Sequence, residues 1–171
     1  MSDIWFTADT HFDHDAILRH TDRHKHFATV EDMNDALIDA INLYVKPHDL
    51  LVIAGDVFWK RPGHFRQRMR ARNIWVTQGN HDSNSLRKHV SRMELMFFMK
   101  KQRLHVCHYP LESWWAKEHD SVHLHGHSHG RMRLIENRID VGLDAVFARV
   151  GEWRPVCLDE IFNYGNEVCY E

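Results

Sequence analysis

The chain has 171 residues, 43% hydrophobic and 27% charged, a composition that builds a core and excludes intrinsic disorder. A domain of this size buries roughly 70% of the surface its unfolded chain exposes, so neither a metal nor a disulfide is needed merely to fold it. A net charge of −2 excludes a global basic footprint for nucleic acid, and no apolar run approaches the ~20 residues that span a bilayer.

The first residues, MSDIWFTAD, lack the basic-then-apolar layout of a secretory signal. Cys107, Cys157 and Cys169 form neither an even disulfide set nor a CxxC pair, which points to a reducing, cytoplasmic setting. One count is out of line. There are 16 histidines, and histidine is both the commonest metal ligand and the neutral-pH proton carrier.

Short apolar runs alternate with amphipathic stretches, the pattern of one α/β unit over residues 1–171. Residues 4–8 predict a first strand ending at Asp9, and 14–20 a short helix. Residues 21–27, rich in His and Arg, show no periodicity and read as a loop. Thr29 can cap a helix, with Asp32 three residues on and Met33, Ala36, Leu37, Ala40, Ile41 and Tyr44 at helical spacing. Pro47 ends it. Residues 50–54 and 74–77 predict buried strands; 95–99 with 103–107 predict a hairpin, as do 132–135 with 138–141. Residues 122–125 predict one more strand.

Five of these strands run into polar clusters: Asp9-Thr10-His11, Gly55-Asp56, Gly79-Asn80-His81-Asp82, Cys107-His108 and Gly126-His127-Ser128-His129. Taken singly, each has a plain structural reading, as a turn, a helix cap or an ordinary hydrogen-bonded histidine. Taken together they converge, because ligands in open α/β sheets gather beyond the carboxyl ends of strands. Oxygen and imidazole donors without thiolate suit a hard or borderline divalent ion such as Mn²⁺, Fe²⁺ or Zn²⁺.

The series DTH, GD, GNHD, H, GHSH resembles the motif set of the calcineurin-like metallophosphoesterase superfamily. The ending DVGLDAV…RPVCLDEI is similar to the close of its small prokaryotic members. The resemblance implies a four-layer α/β/β/α sandwich of two mixed sheets. It implies two divalent ions, Mn²⁺ first, with Fe, Zn or Ni also compatible. Asp9, His11 and His129 would hold one ion; Asn80, His108 and His127 the other; Asp56 would bridge. His81 would lie at the substrate phosphate as general acid or transition-state stabiliser. The implied activity is phosphoester hydrolysis. A short chain leaves no room for a large capping domain, so an open cleft favours phosphodiesters, nucleotide-like or within nucleic acid, over phosphomonoesters.

Around the centre, several residues carry two readings. Asp82 either orients the His81 imidazole or caps a helix. His14 either reaches substrate or caps the first helix. His125 either supports the ligand turn or lies on a polar strand face with His123. Phe12, Phe58 and Trp59 either pack in the core or wall the pocket or stack a base, and Lys60 and Arg61 either contact phosphate or are solvated. Trp114 and Trp115 read as a stacking platform with at least one ring in the core. Arg66, Arg68, Arg70 and Arg72 read as a solvated helix face or a phosphate patch.

Overall fold

A computed structural model describes residues 2–167; Cys169 lies outside the described residues. Strands β1 (Ile4–Thr7), β2 (Leu50–Ile53), β3 (Asn73–Thr77) and β4 (Arg92–Glu94) run parallel, and β9 (Val156–Cys157) joins β1 antiparallel. The sheet order is β4-β3-β2-β1-β9. In a second sheet, of order β5-β6-β7-β8, β5 (Met96–Met99) pairs antiparallel with β6 (Leu104–Cys107), and β7 (Val122–His125) and β8 (Arg138–Asp140) follow in parallel. The architecture is therefore α/β with two mixed sheets.

The sheets face each other across a core to which Phe6, Val52 and Ala54 contribute from one side and Phe97, Val106 and Leu124 from the other. Alternate residues of the first sheet, including Leu51, Ile53, Ile74 and Val76, face outward. They are covered by α1 (Asp15–His20), α2 (Val30–Tyr44) and α3 (Pro62–Arg68) through Ile17, Met33, Leu37, Ile41 and Phe65. The capping box at α2 is present, with Thr29 and Asp32 each accepting the other's backbone N–H.

Over the second sheet the cover differs from a helix layer. Its outer face carries His105, His123 and His125, all buried, and segment 109–121 lies across it. Trp114 packs on His123 at 5.3 Å, and Leu111 N donates to His123 Nε2 at 3.2 Å. An imidazole-bearing face needs hydrogen-bond partners, which loop backbone supplies and a helix's apolar stripe does not. Helix α5 (Leu158–Glu167) lies instead along β8, β9 and β1, and α4 (Leu143–Val150) sends Val146 into the inter-sheet core.

Two further elements depart from the sequence pattern. The second hairpin is absent: β8 pairs with β7, and 132–135 contributes a single bridge, Ile135 to Arg138. Burying Ile139 beside Leu124 against the sheet core outweighs the local turn. Residues 21–27 contain a 3₁₀ turn, Asp22–Lys25, whose Arg23 is completely buried. No helix among the described residues is long and apolar enough to cross a membrane.

Candidate metal centre

The five strands β1, β2, β3, β6 and β7 are all parallel members of their sheets, so their carboxyl ends share one rim. Asp9 N donates to Gly55 O at 3.0 Å, His11 N to Asp56 O at 3.0 Å, and Gly126 N to His108 O at 3.1 Å. Those bonds join neighbouring clusters within each sheet; between the sheets His127 N donates to the Asp9 carboxylate at 2.9 Å, and His81 N ties the third cluster to Asp56 Oδ1. Asp9, His11, Asp56, His127 and His129 all adopt left-handed backbone, with φ between 48° and 69°. Non-glycine residues there cost ~1–3 kcal/mol each and gather where function needs the side chain aimed.

The result is two triads. One ligating atom each from Asp9, His11 and His129 lies within 4.8 Å of the others, and so do those from Asp56, His108 and His127. The Asp56 carboxylate stands between them, its Oδ2 3.7 Å from His11 Nε2 and 3.4 Å from His108 Nε2. Asn80 Oδ1 joins the second triad, 3.0 Å from both His108 Nε2 and His127 Nδ1. His81 stands at the mouth, Nε2 4.0 Å from Asp56 Oδ2, while its backbone N–H donates to Asp56 Oδ1 at 2.9 Å.

The chemistry of these groups fits divalent ions. His11 Nε2 is buried without a hydrogen-bond partner, and burial, then the Arg23 charge, keep that imidazole neutral far below the usual histidine range. His108 Nδ1 must donate to Ala54 O at 2.8 Å, and His129 Nδ1 to Asp144 Oδ2 at 2.7 Å. Each therefore presents an Nε2 lone pair to the cleft. Asp9 is wholly buried, and burial, then repulsion from Asp140, push its carboxyl well above the usual range. Facing carboxylates in such a place call for a cation.

Glycine at two points is a matter of space. A side chain at Gly79 would overlap the Asp56 carboxylate and amide, and one at Gly126 would overlap Ala8 and the Asp9 oxygens.

The flanking residues now take definite places. Asp82 neither orients His81 nor caps a helix. Its carboxylate accepts the backbone N–H of Asp56 (2.8 Å), Val57 (2.8 Å) and Gly79 (2.9 Å), fastening the ends of β2 and β3 together. His14 precedes α1 without a side-chain capping bond; its Nδ1 lies 3.2 Å from His11 Nδ1 and its ring stacks on Trp59. His125 shares a face with His123, as strand alternation predicts, but that face is buried rather than solvated. Its Nδ1 donates to Gly126 O at 2.9 Å, bracing the turn that carries His127.

Phe12 and Phe58 are core residues and Trp59 is exposed. Arg61 clamps Asp13 through two 2.6 Å bonds. Trp114 is buried, donating to Ser121 O, and Trp115 is exposed. The arginine series is not one helix face: α3 ends at Arg68, which pairs with Asp35, and Arg66 donates to Met69 O and Arg72 O.

Three residues of the centre had no periodic or motif signal by residue type. Arg23 donates to Asp9 O (2.6 Å) and Thr10 O (3.2 Å), and forks onto Asp144. Asp140 accepts from Ser128 Oγ (2.7 Å) and from the N–H groups of Gly130 and Gly142, anchoring the histidine turn. Asp144 carries His129. Burial raises its carboxyl, but the bonds from His129 and Arg23 more than offset that and leave it below the usual range. Asp140 and Asp144 sit in the DVGLDAV stretch, where only the family resemblance drew notice.

No family model matches the sequence. The chain is 28% identical over 173 aligned positions to MJ1445, an uncharacterized protein of Methanocaldococcus jannaschii, the match taking in 94% of this chain and 90% of that one. Its structure is similar to the crystal structure of AQ665, a protein of unknown function from Aquifex aeolicus. The TM-score is 0.74 at 19% identity, over 96% of this chain and 100% of the other. At that identity the likeness shows a shared fold and nothing about chemistry.

Proposed function

We propose that the chain is a dinuclear, metal-dependent phosphohydrolase of the calcineurin-like metallophosphoesterase type, acting on phosphodiesters of nucleotide-like substrates. The observation that carries the reading is the Asp56 carboxylate, set between two His/Asp triads with Oδ2 within 3.7 Å of an imidazole nitrogen of each side. Two face-to-face mixed sheets with the site on their common rim support the finer, sandwich-type assignment, with segment 109–121 in place of the fourth layer. Asp9, His11 and His129 would hold one ion, Asn80, His108 and His127 the other, and Asp56 both. Mn²⁺ is the first choice for nitrogen and oxygen donors, with Fe, Zn and Ni compatible.

When bound, such a pair of ions lowers the pKa of water and neutralises phosphoryl charge. The protein supplies the rest. A water oxygen, one proton given up to solvent, forms its bond to phosphorus as the bond to the leaving oxygen breaks, and that electron pair leaves with the departing oxygen. His81, at the mouth and part-exposed, is placed to give that oxygen a proton. Asp82, Asp140 and Asp144 hold the strand ends and turns still, so that the donors are preorganised before substrate arrives.

A phosphomonoesterase on the same site is the second reading, since the same donor set serves either ester. A catalytically silent interaction module fits less well, since every expected ligand is present and gathered. The test is hydrolysis of bis(p-nitrophenyl) phosphate and p-nitrophenyl phosphate with Mn²⁺, beside His81→Ala and Asp56→Asn. Metal-dependent turnover favouring the diester supports the proposal. Faster monoester cleavage shifts it to the second reading, and no metal-dependent turnover of either ester ends it.

A further inference from the structure

Trp59 is 47% exposed, although Phe12 and Phe58 beside it are buried in the core. An indole left half in water at the lip of a cleft is available for a ligand. One side of the ring is covered: His14 stacks on it with centroids 4.3 Å apart and planes 10° from parallel. His14 in turn contacts His11 through Nδ1 at 3.2 Å. The ring of His81 lies 5.4 Å from Trp59, 5.5 Å from His14 and 5.4 Å from His11.

The platform is also fixed in place. Trp59 N donates to Phe12 O at 2.8 Å, and Phe12 N to Val57 O at 3.0 Å. Two residues on, Arg61 forks onto Asp13, which Asn34 also bonds. A ring held this way loses little freedom when something stacks on it.

We propose that Trp59, backed by His14, is a stacking platform for a planar aromatic group, a nucleobase or aryl ring, on the leaving half of the phosphoester. The inference rests on the reading of the centre as a phosphohydrolase, because it is the His81 proton that places the leaving oxygen on this side. A group a few bonds beyond that oxygen meets the indole. Aromatic stacking accepts any base, so the platform selects for a flat ring without selecting its sequence.

The test is calorimetric binding of adenosine 5′-monophosphate and ribose 5-phosphate to the full chain with and without Mn²⁺. The two share a phosphate and a sugar and differ in the base. The wild type is expected to bind the nucleotide about ten-fold tighter, which at 1.4 kcal/mol per factor of ten lies in the range of base–aromatic stacking. Trp59→Ala removes that advantage and leaves ribose 5-phosphate unchanged, while Trp59→Phe keeps part of it. Trp115→Ala, at an equally exposed tryptophan over the second sheet, leaves both affinities as they were. Equal Mn²⁺-dependent affinities for the two ligands, or equal weakening of both by Trp59→Ala, overturn the platform alone. Binding of neither ligand in an Mn²⁺-dependent way overturns the phosphohydrolase reading and the platform with it.

Discussion

The guanidinium of Arg23, with no exposed surface, is gripped by Asp144 across 121 positions of sequence, Nε to Oδ1 at 3.0 Å and Nη2 to Oδ2 at 2.7 Å. The same Oδ2 accepts the His129 Nδ1 proton at 2.7 Å, and the same Nη2 donates to Asp9 O. One buried ion pair therefore sets the tautomer of one expected ligand and the backbone of another.

Asp144→Asn keeps the shape and removes the charge, leaving Arg23 buried without compensation. Breaking one side of a buried pair costs ~3–5 kcal/mol, read by urea denaturation. Mn²⁺ affinity should fall about 10–100-fold, the usual consequence of disturbing the partner of a ligating histidine. A loss below about 1 kcal/mol would show that the pair does not brace the fold.

Gly79→Ala forces a methyl group into the Asp56 carboxylate and amide. Overpacking of this kind costs ~1–3 kcal/mol, so the protein should still fold. What it should lose is the rise in stability on adding Mn²⁺, which for a wild type at a hundred times its dissociation constant is about 2.7 kcal/mol. Thermal unfolding with and without Mn²⁺ reads both effects. A variant that Mn²⁺ stabilises as well as the wild type would place the ions elsewhere.

His123 gives a pH dependence independent of metal. Burial, only partly offset by its bond to His105 O, holds its pKa down at about 3. It faces His105, His125 and the Trp114 ring. Between that value and the ordinary 6.5 the unfolded chain takes up a proton that the folded chain does not, so stability is full above 6.5 and falls with pH below it. The slope is at most ~1.4 kcal/mol per pH unit, or about 2 kcal/mol between pH 7 and 5. Urea denaturation should therefore show a flatter pH dependence for His123→Gln than for the wild type. Equal slopes would mean that His123 titrates normally.

Much of this was legible before the structure because strand-end placement is a local property. Runs such as 50–54 and 74–77 are read from hydropathy alone, and each runs into its own polar cluster. The histidine count was a weaker guide. Five of the 16 histidines meet in the centre, while His105 and His123 pair beneath Trp114 and His26 packs on Phe147 and Trp153. Arg23 was hidden because its partners are 13, 14 and 121 positions away, and a residue whose role is set by such contacts leaves no periodic trace. The absent second hairpin has the same origin, since β8 answers to β7 and not to its neighbour in sequence.

If two divalent ions on this rim drive phosphoester hydrolysis, turnover of bis(p-nitrophenyl) phosphate by chelator-stripped protein, followed as Mn²⁺ is returned, reads it most directly. Turnover should be absent without metal and recover to saturation at about two ions per chain, the number a bridged pair requires. In His81→Ala, kcat should fall ~10²–10⁴-fold on a diester whose leaving alkoxide needs a proton, as loss of a general acid does. It should fall less on bis(p-nitrophenyl) phosphate, whose nitrophenolate leaves unprotonated, and the metal stoichiometry should stay the same. Turnover that survives chelation, or no turnover at any Mn²⁺ concentration, would contradict it.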